Sequence, residues 1–267
     1  MDESDGFAAK KPKLDISFNA ELSSNDGVVA KKPRLSECSN MQIVDVAVKE
    51  PSPVARRLPY GPDHSFIRYG NKYHLLLCVT GSVATIKLKE LIDHLIKLSP
   101  SDRLDIRIVA TDAARRFFDE NSLSQIVYTE ADEWNMWQNR GDPILHIELR
   151  NWADAMLIAP LDANTLAKIA NGLCDNLLTC VVRAWHPNKQ IFFAPAMNAA
   201  MWENPITHQH RRTLRDFFHF REIPPIEKQL MCGDQGCGAM ATIQMIASIV
   251  ASDVKNRFAV YSDNSKL

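Results

Sequence analysis

Along this chain, continuous apolar runs of strand length alternate with segments whose apolar residues return every three to four positions. Tyr73-His74-Leu75-Leu76-Leu77-Cys78-Val79-Thr80 is the first such run. It suits a strand buried on both faces, as in a sheet covered by two helical layers. Gly81-Ser82 follows, and the spacing of Leu88, Leu91, Ile92 and Leu95 predicts a helix over 83–98. A second unit repeats the pattern: strand 105–110, turn Thr111-Asp112, helix 113–118. A third strand, 155–160, opens through Leu161-Asp162-Ala163-Asn164-Thr165 into a helix ending near Gly172. A helix over 175–185 leads to a fourth strand, 190–193, which breaks at Pro195 and turns helical over 199–202. Strands alternating with helices in this way predict an α/β fold with a parallel sheet and helices on both faces.

In such sheets ligands sit beyond the carboxyl ends of the strands, so the turns are where chemistry is sought. Gly81 permits close backbone approach, and the N–H groups opening the next helix favour an anion. The G-x-G-x-x-G pattern is absent, so a dinucleotide has no support. Thr111, Asp162, Asn164 and Thr165 are polar groups that can cap a helix or hydrogen-bond a ligand, and spacing alone leaves both open. Asn198 stands among small and apolar neighbours with an acceptor and two donors. It can cap the following helix or hold a ligand carboxylate without adding charge. His146 lies between apolar residues, as a packed side chain or as a general base. Trp134 and Trp137 read as packing residues on a short helix. The stretch from Leu230 to Met240 places three glycines in six residues, the mark of a mobile loop that is either a lid over an active site or a plain flexible turn. Cys232 at its foot is either a proton donor or an idle thiol.

The first 66 residues differ from the rest. They hold six of the fourteen prolines, no tryptophan and no sustained apolar periodicity, so disorder is the default there. The domain proper is read as 67–258, followed by a short polar end, 259–267. Two basic repeats, Ala9-Lys10-Lys11-Pro12-Lys13-Leu14 and Ala30-Lys31-Lys32-Pro33-Arg34-Leu35, are candidate nuclear-import signals. A net charge of −1 argues against nucleic-acid binding by bulk electrostatics. No apolar run reaches the length of a membrane span, and the opening residues do not form a signal peptide. The six cysteines form no C-x-x-C pair, so no disulfide framework or metal site is suggested. The expected location is cytoplasmic, with nuclear import a second address.

Taken together, Gly81-Ser82, His146 within Leu-His-Ile-Glu-Leu-Arg, the Asp162-to-Thr165 turn, the 195–202 motif and Cys232-Gly233-Asp234 resemble one family. It is the homo-oligomeric flavin-containing cysteine decarboxylases, in the phosphopantothenoylcysteine branch that also includes the halotolerance proteins. The resemblance covers about residues 72–250. It implies a flavodoxin-like (Rossmann-type) three-layer sandwich, flavin mononucleotide (FMN) as cofactor, and homotrimers with active sites between subunits. By position, Gly81, Ser82, Val83, Thr111, Asp162, Ala163, Asn164, Thr165 and Ala196 would face the flavin. His146 and Cys232 would be catalytic, with Cys232 the proton donor, while Asn198 and Met240 would touch substrate. Gln229 departs from the pattern, which has a basic residue two or three places before the cysteine; Lys228 can take that place. Cys237 receives no role. The implied activity is decarboxylation of 4′-phosphopantothenoylcysteine to 4′-phosphopantetheine in coenzyme A biosynthesis, by thiol oxidation, loss of carbon dioxide and re-reduction of the ene-thiol. The alternative is an FMN-binding regulatory subunit that inhibits a protein phosphatase. The presence of His146, Asn198 and Cys232, with no strongly acidic tail, favours the enzyme.

Overall fold

The computed structural model of the protein describes residues 57–229 and 235–264. Six parallel strands form the main sheet: β1 (Tyr73–Val79), β2 (Leu104–Ala110), β3 (Val127–Tyr128), β4 (Ala155–Leu161), β5 (Ile191–Pro195) and β6 (Arg221–Glu222). They run in the order β3-β2-β1-β4-β5-β6, so the direction of winding reverses between β1 and β4. This is the doubly wound arrangement of the Rossmann type, whose ligand crevice opens at the reversal. The helices are α1 (Leu88–Leu98), α2 (Glu130–Met136), α3 (Leu145–Trp152), α4 (Ala163–Ala170), α5 (Leu177–Arg183), α6 (Ala199–Glu203), α7 (Pro205–Arg212) and α8 (Ile243–Asn264).

The strand period divides the core in two. Leu75, Leu77 and Val79 of β1 pack with α1 and α8 on one face. Leu76 and Cys78 pack with α3, α4 and α5 on the other. Every residue of β1 is therefore buried, which is why the run reads as apolar apart from His74. Among the described residues no helix is long and apolar enough to cross a membrane.

Several expectations change. Residues Val83–Lys87 form a 3-10 turn, and α1 begins only at Leu88. The Thr85 hydroxyl donates to Thr80 O at 2.9 Å, which tightens that turn back onto β1. The expected helix over 113–118 shrinks to one 3-10 turn, Ala114–Arg116. Arg115 pairs there with Glu120, and Asp119 caps the next turn. Trp134 and Trp137 do not pack inward; they are 74% and 53% exposed. The glycine-rich stretch supplies one strand of an antiparallel hairpin, β8 (Gln235–Ala239), which pairs with β7 (Ile226–Gln229) just before it. Residues 230–234 between the two strands, Cys232 among them, lie outside the described residues, as do both basic repeats and Cys38.

Residues 57–66, assigned to the tail by composition, lie against the domain. Arg57 makes a bidentate pair with Asp132 at 2.8 Å and also donates to Val127 O. Tyr60 N–H donates to Asp132 Oδ1 at 2.8 Å, and His64 meets the Tyr128 hydroxyl at 2.8 Å. At the other end, α8 extends to Asn264 and takes in most of the expected polar end.

Candidate active site

Each predicted turn residue follows the carboxyl end of a different strand, and β2, β1, β4 and β5 are consecutive neighbours. Gly81 follows β1, Thr111 follows β2, Asp162 follows β4 and Ala196 follows β5. The centre is tied together by Thr80. Its hydroxyl donates to Pro160 O at 2.8 Å and accepts from Asp162 N–H at 2.8 Å, fastening the β1 end to the β4 end. Gly81 lies in the cleft so formed. A Cβ there would fall 2.7 Å from Ala113 Cβ and 3.3 Å from Asp162 Oδ2. No side chain larger than hydrogen fits without moving one of the adjoining turns.

The caps are present in the structure, and several of the capping residues keep a polar group to spare. Ser82 Oγ accepts from Ala84 N–H at 3.3 Å, and Thr111 Oγ1 accepts from Ala114 N–H at 3.3 Å. Each hydroxyl acts as acceptor in its cap and so keeps its own proton to donate. Asp162 caps α4 through Oδ1, accepting from Thr165 N–H at 2.7 Å. Asn198 caps α6 through Oδ1, accepting from Met201 N–H at 2.9 Å. Among the described residues its Nδ2 donors have no partner, so the group that would hold a carboxylate stays free. Val83, Ala163 and Asn164 open their helical segments, where the first N–H groups lack intrahelical acceptors. These N–H groups, with the exposed Asn164 side chain, suit an anion. Thr165 is 2% exposed and its N–H is held by Asp162, so it builds the turn rather than lining it. Ala196 likewise is 4% exposed and contributes backbone, donating to Leu161 O at 2.9 Å.

The 195–202 motif is fixed from two sides. Met197 N–H donates to Gly238 O at 2.9 Å, joining the hairpin to the residue before Asn198. Trp202 is buried, with the Arg211 guanidinium 3.8 Å from its ring centre. Met240 follows β8 and packs against the core beside α8.

His146 occupies the first turn of α3. That helix ends two residues before β4 begins, so its first turn points toward the carboxyl end of the sheet. Its ring meets a residue that sequence reading did not single out: His146 Nδ1 lies 2.5 Å from Glu133 Oε1. The His146 backbone N–H donates to Glu133 Oε2 at 3.1 Å. A carboxylate only accepts, so Nδ1 carries the proton in this pair, and in the neutral ring Nε2 is the nitrogen with the lone pair. Among the described residues no hydrogen bond joins His146 to the Gly81, Thr111 or Asp162 turns. The signal for Glu133 was its place in an acidic first helical turn, which also reads as ordinary dipole compensation.

Fold and turns together define a doubly wound α/β protein whose candidate ligand site lies at the winding reversal. The chain matches the Flavoprotein family model over residues 67–255 and belongs to that family. The phosphopantothenoylcysteine decarboxylase of Mus musculus is 51% identical over 179 residues, covering 67% of this chain and 86% of that protein. The rice protein of the same name (Oryza sativa subsp. japonica) is 52% identical over 182 residues, covering 67% and 80%. A solved structure, a PPC decarboxylase with one cysteine changed to serine and complexed with pantothenoylaminoethenethiol, is 47% identical. It superposes with a TM-score of 0.63 over 70% of this chain and 99% of the other. A second, "The FMN binding protein AtHal3", is 50% identical with a TM-score of 0.61, covering 67% and 95%.

Proposed function

We propose that this protein is an FMN-dependent lyase that decarboxylates 4′-phosphopantothenoylcysteine to 4′-phosphopantetheine. The observation that carries the reading is the convergence of Gly81, Ser82, Thr111 and Asp162 on the winding reversal, with the free amide of Asn198 held nearby by the hairpin. The residues present fit FMN. A Cβ would fill the cleft at Gly81, and the opening N–H groups at Val83, Ala163 and Asn164 suit its phosphate. The free hydroxyl protons of Ser82 and Thr111 and the second oxygen of Asp162 supply donors and an acceptor for the polar parts of the ring and its chain.

When bound, FMN takes up two electrons from the substrate thiol, which makes carbon dioxide loss possible, and returns them afterwards. The protein's own part is orientation and proton transfer. Asn198 Nδ2 donates to the substrate carboxylate and orients it without the ion pair that would oppose its departure. His146 Nε2 takes a proton in the oxidation and decarboxylation, with Glu133 on the far side of the ring. Cys232, in the sequence between β7 and β8, delivers the proton that completes the product. An ene-thiol bound to the serine variant of a related decarboxylase is the species that a blocked final proton transfer would leave.

The same reading assembles three copies with sites between them. Exposed apolar side chains lie among and beside the site residues: Val83 itself, Ile144 two before His146 and Met201 three after Asn198. They offer a surface for a second copy. The location remains cytoplasmic in this reading, with the basic repeats as candidates for nuclear import. The deciding experiment supplies phosphopantothenoylcysteine to the yellow protein and follows both carbon dioxide and product mass. Wild type gives phosphopantetheine; Cys232→Ser should release carbon dioxide and stop at the ene-thiol. Normal phosphopantetheine from that variant would remove Cys232 from its role, and no carbon dioxide from wild type would end the reading.

A further inference from the structure

Helix α2 is only seven residues long, yet three of its carboxylates each hold a different part of the molecule. Glu130 Oε2 accepts from Leu177 N–H at 2.6 Å, at the start of α5. Asp132, whose side chain has no solvent exposure, accepts from Arg57, Tyr60 N–H and both polar groups of Thr129 at 2.7–2.8 Å. Asn135 Nδ2 adds a bond to Tyr60 O at 2.9 Å. The helix is thus pinned to α5 at one corner and to residues 57–60 at another. From this mount Glu133 reaches both the ring and the backbone N–H of His146.

We propose that Glu133 is a positioning residue for His146, fixing the ring with Nδ1 protonated and Nε2 free toward the substrate. The proposal rests on the reading above, in which His146 handles a proton. A two-point clamp of this kind determines more than a single bond would. The backbone contact sets where the first turn of α3 sits, and the Nδ1 contact sets the ring's rotation and tautomer. Glu133 is 12% exposed and His146 26%, so water competes little on the carboxylate side while the ring keeps an open edge. Orienting groups of this type act through the base and do not touch substrate.

The test uses full-length holoprotein and three variants: Glu133→Ala, Glu133→Asp and His146→Asn. In wild type, the ring nitrogen shifts of 15N-labelled His146 above neutral pH should report a single Nδ1–H tautomer. Glu133→Ala should show a mixture of tautomers. Its flavin content and KM should stay near wild type, while kcat falls on the order of 10- to 1,000-fold. Glu133→Asp, one methylene shorter, should recover part of both signals. Wild-type kcat together with an unmixed tautomer in Glu133→Ala would overturn the proposal. Full activity in His146→Asn would instead overturn the role of His146 itself, whatever the tautomer of the other variants.

Discussion

Gly238 and Met197 meet backbone to backbone: Met197 N–H donates to Gly238 O at 2.9 Å, and a Cβ on Gly238 would stand 2.7 Å from Met197 O. Gly238 also has φ +129°, a conformation that side-chain-bearing residues rarely adopt. This glycine therefore sets how closely the hairpin approaches the residue before Asn198. Gly238→Ala should cost about 1–3 kcal/mol in local strain and push the hairpin away from the 195–202 motif. The expected result is a folded, yellow protein with kcat/KM lowered at least about tenfold, roughly the equivalent of 1.4 kcal/mol. Normal kinetics with normal thermal stability would show that the contact does not control the site.

In the proposed reading Asn198 has two tasks, one for each end of its amide, and a single substitution separates them. Aspartate keeps the oxygen that accepts from Met201 N–H, so the cap on α6 survives Asn198→Asp. It loses the Nδ2 donors and sets a negative charge where the substrate carboxylate would lie. Thermal unfolding should match wild type, while KM rises and kcat/KM falls by about 100-fold or more. Asn198→Ala loses both tasks and should also cost about 1 kcal/mol of stability. If Asn198→Asp turned over normally, the amide would be a cap and nothing else.

The turns were legible because each combines a strand's apolar run with a residue whose geometry or hydrogen bonding has few alternatives. Gly81, Asp162 and Asn198 are all of that kind, and each sits at the strand end its sequence position indicates. Glu133 was not legible. It lies 13 residues from His146 on a separate helix, and nothing in the period of either helix encodes how the two pack. Gly238 shows a different limit. A glycine chosen for close approach and one chosen for mobility leave the same mark, and only its contact with Met197 tells them apart. Residues 57–66 have the composition of a tail, and their anchors lie more than 60 positions away, as between Arg57 and Asp132 or His64 and Tyr128. Compositional reading has no access to such pairs.

Those anchors make acid stability a test of the N-terminal strap. Burial alone would raise the Asp132 carboxyl, but hydrogen bonds from Arg57, Tyr60 N–H and Thr129 outweigh it and hold the group below the usual carboxylate range. Asp154 shifts the same way, where His74 and Arg68 outweigh its burial and Arg257 adds a nearby charge. A group depressed in the folded state contributes stability above its unfolded pKa, about 3.9 for aspartate, and that contribution is lost as pH falls through the folded value. Urea midpoints should hold steady from neutral pH to about 5 and fall below about 4. Asp132→Asn should lower stability at pH 7 by about 2–4 kcal/mol, because it leaves the Arg57 charge and several donors short of an acceptor. It should also flatten the acid limb. An unchanged limb in Asp132→Asn would place the acid sensitivity elsewhere.

Gly81→Ala tests the cleft at the winding reversal from the cofactor's side. The added methyl would lie 2.7 Å from Ala113 Cβ, closer than such atoms approach, so one of the adjoining turns must shift. The β1 and β4 ends are fastened by Thr80, which leaves the Thr111–Ala113 side as the one that gives. That movement would spread the groups assigned to the flavin, while the sheet below, buried on both faces, stays intact. The purified variant should be folded by circular dichroism yet retain less than about a tenth of the wild-type flavin per chain, an affinity loss on the order of 1–3 kcal/mol. Added FMN should restore colour and activity together along one saturation curve. A variant as yellow and as active as wild type would mean that the flavin does not depend on this cleft.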